Sequence, residues 1–217
     1  MTLAEENYLK TIFHLERKLK SEVSTNALAE RMQTRASSVT DMMQKLADKK
    51  MLVYKKYKGV QLTEKGKKAA AYVVRKHRLW EVFLVDKLKF HWDEVHDIAE
   101  QMEHINSVEL IKRLDAFLGH PDFDPHGDPI PDKDGNIKKA EKRLLSELIK
   151  NQIGICVGVK ESSPEYLQYL DKKKISIGTK INVLGKEFFD GSMMIQVGRD
   201  QFFVSKQIAE NLYVQTN

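Results

Sequence analysis

Six residues in two stretches have types and spacing that could do chemistry together. On a helix at about 100° per residue, His96, Glu100, Glu103 and His104 fall within an arc of about 100°. Upstream, His77 and Glu81 stand at i,i+4, on one face of another helix. Two such helices side by side present three imidazoles and three carboxylates to one another. Carboxylates at i,i+3 repel unless a cation lies between them. Imidazole and carboxylate donors without thiolate suit Mn²⁺, Fe²⁺, Co²⁺, Ni²⁺ or Zn²⁺. The spacing predicts a divalent-metal centre, with a solvated His/Glu face as the plain alternative.

A second chemistry is written in the charge distribution. Residues 1–70 hold 15 lysines and arginines against 8 acidic residues, net +7, whereas the whole chain is +5. Nine lysines lie between Lys45 and Lys68, with only Asp48 and Glu64 among them. A basic block on a folded segment is the footprint of a polyanion, because neutralised phosphates release counterions. A lysine-rich solvated face is the other reading of charge alone. Six of the seven histidines fall between residues 71 and 130, so the metal chemistry and the polyanion chemistry occupy different parts of the chain.

The elements that must position these residues can be read from periodicity. Tyr8, Leu9, Ile12, Phe13, Leu15 and Leu19 form a helical stripe over residues 4–20. Ser24-Thr25 caps a short helix to Met32, a polar break follows, and Ser37-Ser38 opens a helix with Val39, Met42, Met43 and Leu46 inward. Met51–Tyr54 and Val60–Leu62 flank Lys58-Gly59 as a β-hairpin, and Thr63 caps the next helix. Helix, helix-turn-helix, hairpin, helix is the order of a winged helix-turn-helix, whose second turn helix enters the major groove while the wing touches the backbone. The DNA-contacting candidates are Arg35, Ser37, Ser38, Thr40 and Lys45 on or beside that helix, and Lys55, Lys56, Tyr57 and Lys58 on the wing. Ser37 or Ser38 could equally be a helix cap.

A long helix is expected from Thr63 to about Lys89, and one or two more from Asp93 to Leu118. Four of the five prolines and three glycines then fall in residues 119–137, which read as a linker or irregular loop. From Ile153 onward, short runs rich in β-branched and aromatic residues suggest a small β-barrel. The fold class is mainly α with a small β domain. The domains expected are a winged helix-turn-helix over 1–70, a helical metal-binding and dimerisation domain over 71–140, and a barrel over 141–217.

The chain resembles the diphtheria-toxin-repressor family of metal-dependent regulators, which includes the manganese transport regulators. The resemblance is carried by Ser37-Ser38-Val39-Thr40 and by Lys58-Gly59-Val60-Gln61-Leu62-Thr63-Glu64-Lys65-Gly66. It continues in Arg75-Lys76-His77-Arg78-Leu79, in Val95-His96-Asp97 through Glu103-His104, and in His126-Gly127-Asp128-Pro129-Ile130-Pro131. These motifs span residues 2–132, and the C-terminal part is compatible with the SH3-like (FeoA-like) domain of longer members. The resemblance implies a homodimeric repressor that binds a palindromic operator in double-stranded DNA when loaded with metal, its dimer surface on the helices of residues 85–118. An ancillary metal site would map onto His77, Glu81 and His96 with help from Glu161. The primary site would map onto Glu100, Glu103 and His104 plus Asn7. Glu100 stands where iron-responsive members carry cysteine, which implies Mn²⁺ over Fe²⁺, with other divalent transition metals able to substitute. Asn7 departs from both the methionine and the aspartate patterns. Lys10 stands where some manganese-only members carry a ligating carboxylate, so two separated sites fit better than a tight binuclear pair.

Three readings compete, one of them a metal-buffering or scaffold protein, which would leave the Lys45–Lys68 block unexplained. A di-metal carboxylate enzyme would want Glu-x-x-His on two helices, a motif that Glu100-x-x-Glu103-His104 does not supply, so no enzyme is expected. A winged-helix regulator sensing a non-metal ligand would have no use for the His/Glu cluster. No apolar run approaches the ~18 residues of a membrane span, the first residues are acidic, and Cys156 is the single cysteine. The expectation is a cytoplasmic protein with no membrane partner and no organic cofactor.

Overall fold

The computed structural model describes residues 1–19, 21–55, 58–138 and 141–216. The chain divides into two compact units. The first comprises Met1–Arg78, Glu100–Lys112 and Pro131–Ile137, and the second Leu79–Ala99, Arg113–Ile130 and Lys138–Asn217.

The first unit opens with α1 (Leu3–Leu19), whose Tyr8, Leu9, Ile12 and Phe13 are buried as the stripe requires. Ser24 caps α2 (Thr25–Arg31), its hydroxyl accepting from the Ala27 amide at 3.2 Å. The turn helix α3 (Ala36–Asp48) buries Val39, Met43 and Leu46. The hairpin follows as β1 (Leu52–Lys55) and β2 (Gly59–Leu62), antiparallel with Leu52 opposite Leu62 and Lys55 opposite Gly59. Val23 adds a bridge to Val60 at the hairpin's other side. Thr63 caps α4 (Glu64–Asp86), accepting from the Gly66 amide at 3.1 Å. These elements share one apolar cluster, in which Leu9, Ile12, Leu28, Met43 and Leu46 are fully enclosed. Truncating such a leucine to alanine costs about 2–5 kcal/mol.

One helix end departs from the expected pattern. The segment after Asp93 forms α5 (Val95–Met102) and α6 (Val108–Phe117), so α5 stops one residue before Glu103. Glu103 and His104 sit in the turn beyond it. The single helical face proposed for His96 through His104 is therefore corrected: His96 and Glu100 share α5, but Glu103 and His104 lie beyond its end.

The second unit is built on a six-stranded antiparallel sheet in the order β3-β8-β4-β5-β6-β7. Its strands are β3 (Arg143–Leu144), β4 (Ile153–Val159), β5 (Lys180–Lys186), β6 (Met193–Val197), β7 (Asp200–Val204) and β8 (Leu212–Gln215). Register shifts at Cys156/Gly158 and Val183/Gly185 mark bulges, which bend strands locally. Helix α7 (Pro164–Lys172), started by a proline in its first turn, lays Tyr166, Leu167 and Leu170 on the sheet. The short α8 (Lys206–Ala209) precedes β8, and Trp92 joins this core from the α4–α5 connection. Residues 119–137 are irregular as expected, but they are not a bare linker. Phe123 bridges Pro129, and the Val159 amide donates to the His126 carbonyl at 2.9 Å, fastening the loop to β4.

Candidate metal centres and DNA interface

In the first unit, Glu103 is the hub. Its side chain is fully enclosed. Lys10 Nζ donates to Glu103 Oε1 at 2.7 Å and Oε2 at 2.9 Å, and to Glu100 Oε1 at 3.0 Å. His77 Nδ1 lies 2.6 Å from Glu103 Oε2. His104 Nε2 is 3.7 Å from Glu103 Oε1, while its Nδ1 is 2.9 Å from Glu6 Oε2. Burial alone would raise the Glu103 carboxyl. The His77 hydrogen bond and the Lys10 charge outweigh it and hold the group below the usual carboxylate range. Asn7 stands one turn before Lys10 on α1, and its Oδ1 is buried with no hydrogen-bond partner. A buried, unsatisfied carbonyl oxygen is costly unless something accepts its lone pairs. That orphan, two carboxylates and an imidazole make a donor set that fits a divalent cation. His77, mapped onto the ancillary site by resemblance, bonds Glu103 of the primary set while standing one turn before Glu81 on α4.

In the second unit, ligand atoms of Glu81, Asp124 and His126 lie within 4.8 Å of one another, and all three residues are buried. Glu81 reaches His126 Nδ1 at 3.7 Å with one oxygen and His96 Nδ1 at 3.5 Å with the other. His126 Nε2–H donates to the Trp92 carbonyl at 2.8 Å, and its ring stacks on the Trp92 indole at 6.2 Å and 10°. Asp124 Oδ1 accepts from the amides of His126 and Asp128. Desolvation would lower the imidazole, but Glu81 and Asp124 reverse that and raise His126 to about 9. An imidazolium between two buried carboxylates supplies the charge that a divalent cation could supply instead. Asp124 and His126 were not among the candidate ligands found by sequence reasoning. The available signal was an Asp-Pro-His-Gly run, two ligand types two residues apart inside a Gly/Pro-rich loop. Glu161 is exposed, accepts from the Ser163 amide at 3.0 Å, and is not part of this grouping.

The basic candidates gather on α3 and the wing. Helix α3 begins at Ala36 with Arg35 at its cap position and no side-chain cap, so Ser37 and Ser38 lie inside the first turn and are exposed. The Thr40 hydroxyl donates back to the Ala36 carbonyl at 2.9 Å. Lys45, half-exposed, lies 3.1 Å from Glu5, and Lys49 is 2.7 Å from the same oxygen. Lys55 pairs with Glu22 at 2.8 Å, and Lys58 is exposed. Lys56 and Tyr57 lie outside the described residues. Glu5 is enclosed, and its bonds to Lys49 and Lys45 and to the Thr2 amide hold its carboxyl down at about 2.

Three family profiles match in order. They are the iron dependent repressor N-terminal DNA binding domain over residues 1–60, the iron dependent repressor metal binding and dimerisation domain over 63–132, and the FeoA domain over 143–216. A solved manganese-dependent transcriptional repressor in complex with manganese is 34% identical, with a TM-score of 0.85 over 98% of this chain and 100% of that one. The ScaR protein with bound Zn²⁺ is 32% identical at a TM-score of 0.76, over 98% of this chain and 99% of that one. The iron-dependent repressor IdeR of Mycobacterium tuberculosis is 36% identical over 126 residues, 58% of this chain and 54% of the relative. The chain thus spans about half the length of such curated relatives. Among the described residues no helix is long and apolar enough to cross a membrane. With all three domain profiles in sequence and a solved repressor aligned end to end, the chain belongs to the diphtheria toxin repressor family, whose members are metal-dependent transcriptional repressors and not enzymes.

Proposed function

We propose that the chain is a metal-activated repressor of metal-ion homeostasis, acting as a homodimer on a palindromic operator, with Mn²⁺ preferred over Fe²⁺. The observation that carries this reading is the donor set. Asn7, Glu100, Glu103 and His104 in one unit, and Glu81, His96, Asp124 and His126 in the other, offer only oxygen and imidazole nitrogen. The one thiol, Cys156, is enclosed in the sheet core, and burial pushes it up to about 11. Oxygen-rich sets without thiolate favour Mn²⁺ among the candidate ions.

A bound divalent cation supplies the charge that lets facing carboxylates stay ionised and close together. The rest belongs to the chain's own residues. On α1, Glu6 and Lys10 face the Glu100–His104 segment, while Glu5, in the same turn, holds Lys45 of α3 and Lys49 just beyond its end. Helix α1 therefore joins the primary set to the recognition helix through residues adjacent in the chain. A shift between two arrangements at Glu100–His104 is passed to α3 without any intervening flexible segment. Helix α3 then offers Arg35, Ser37, Ser38 and Thr40 to base edges and phosphates, and Lys45, Lys55, Lys56, Tyr57 and Lys58 supply backbone contacts.

The test is selection of genomic fragments by the purified protein with Mn²⁺, with anaerobic Fe²⁺ and with chelator, at fixed salt. Enrichment of a palindrome only with metal is the expected result, with half-sites about one helical turn or a multiple apart. Equal enrichment with chelator overturns metal activation, and stronger enrichment with Fe²⁺ overturns the metal preference.

A further inference from the structure

The ammonium of Lys10 stands where the primary set would hold its ion. Its three contacts, at 2.7, 2.9 and 3.0 Å, go to both oxygens of Glu103 and one of Glu100. The side chain is 13% exposed, so its stem is packed and its charge is directed inward. Lys10 lies three residues after Asn7 and four after Glu6, on the α1 face that carries the other α1 members of the cluster. Glu103 Oε2 is also shared with His77, and Oε1 lies 3.7 Å from His104, so both oxygens already face a nitrogen while the ammonium is in place. Two cations cannot share those carboxylates at such range without strong repulsion.

We infer that Lys10 is a tethered internal cation that competes with the divalent ion for Glu100 and Glu103, and so sets the metal concentration at which this site fills. The inference rests on the primary-site reading above. Being covalently attached, the ammonium is never diluted away, and an incoming ion must displace it. While it is seated, Lys10 also makes the link between α1 and the α5 end that the ion would otherwise make. The lysine thus raises the threshold of the site without abolishing it, and its removal lowers the metal concentration at which the site fills.

The experiment counts free Mn²⁺ by electron paramagnetic resonance during titration of the full chain. Four variants are compared with wild type: Lys10→Met, Lys10→Gln, Glu103→Gln and Lys18→Met. Lys18 is an exposed lysine of the same helix and controls for loss of one positive charge. The site that disappears in Glu103→Gln is expected to bind at least about tenfold more tightly in Lys10→Met and Lys10→Gln, while Lys18→Met stays within about twofold of wild type. Unchanged or weaker binding in both Lys10 variants overturns the competition alone. Equal tightening in Lys18→Met overturns it too, since bulk charge would then suffice. If Glu103→Gln retains every site, the primary-site reading falls and the competition falls with it. Circular dichroism of each metal-free variant shows that it is folded, and the glutamine variant carries the test if methionine at position 10 is not tolerated.

Discussion

Gly127 is the point at which the loop carrying Asp124 and His126 meets the sheet, and Gly127→Ala measures what that contact is worth. Its φ is +81°, a left-handed conformation that costs an L-residue about 1–2 kcal/mol. A Cβ there would stand 2.0 Å from the Val157 carbonyl oxygen and 2.4 Å from the Gly158 Cα. Both obstacles are backbone, so no side chain can swing away. Restoring ordinary contact at 3.4 Å means a retreat of about 1.4 Å by the loop or by β4. Overpacking of that kind adds about 1–3 kcal/mol, giving a total of about 2–5 kcal/mol. For a chain of this size each kcal/mol lowers the melting temperature by about 2–4 °C. A loss near 3 kcal/mol therefore appears as about 6–12 °C in chelator. Because His126 is the neighbouring residue and Asp124 lies three before Gly127, metal affinity at the second-unit set should fall about 10–100-fold. The Glu103-dependent site should be unmoved. Gly119→Ala is the control: its φ is +75° with nothing within 4 Å, so it bears only the conformational cost. The assay is thermal unfolding by circular dichroism together with Mn²⁺ titration. If Gly127→Ala melted within 2 °C of Gly119→Ala and bound metal as wild type does, the claim that β4 positions the Asp124–His126 loop would be refuted.

Other outcomes follow from single groups. Glu5 titrates near 2 in the folded chain instead of near 4.5, a depressed carboxylate. Its contribution is full above about pH 4.5 and is lost as pH falls toward 2. The shift corresponds to at most about 3 kcal/mol, and screening at the half-exposed Lys45 and Lys49 reduces it to about 1 kcal/mol. Melting curves of Glu5→Gln should thus lose less stability than wild type between pH 5 and pH 3, and equal losses would discard the pairing. Glu103→Ala should fold yet lose metal-dependent operator binding, and a gel-shift titration indistinguishable from wild type would move the site elsewhere. Lys58→Ala should weaken binding to all DNA sequences alike and lower the slope of log affinity against log salt by about 1; a change confined to one base position would instead make Lys58 a base reader.

Much of the first unit was legible because its signals are local. The α1 stripe, the Ser24 cap, the α3 core positions and the hairpin around Gly59 follow from period and capping chemistry, and each is present. The end of α5 was not legible. Glu103-His104-Ile105-Asn106 contains no glycine or proline to announce a stop, and tertiary packing ends the helix where propensity would continue it. Glu103 and His104 therefore leave the helical wheel on which they were placed with His96, whereas Glu100 stays on α5 with it. The Glu81–Asp124–His126 grouping depends on a loop fastened to β4, a contact between residues distant in sequence that no spacing rule encodes. Helix α7 had a readable start in Ser163-Pro164, but the surrounding strand pattern masked it. Lys45 and Lys55 were read from composition as phosphate contacts, and the acids that meet them, Glu5 and Glu22, lie 40 and 33 residues away.

The placement of the two tryptophans has an optical consequence. Trp92 stacks on His126 and accepts its Nε2–H, and Trp80 precedes Glu81 directly in α4. Both tryptophans thus belong to the second unit, which also holds Glu81, Asp124 and His126. A stacked imidazolium quenches indole emission, so replacing its proton with an ion brightens or shifts that emission, and a paramagnetic ion extinguishes it. Intrinsic tryptophan fluorescence accordingly reports filling of the centre that contains His126. Order of occupancy can then be followed in unlabelled protein by setting emission against total ion bound.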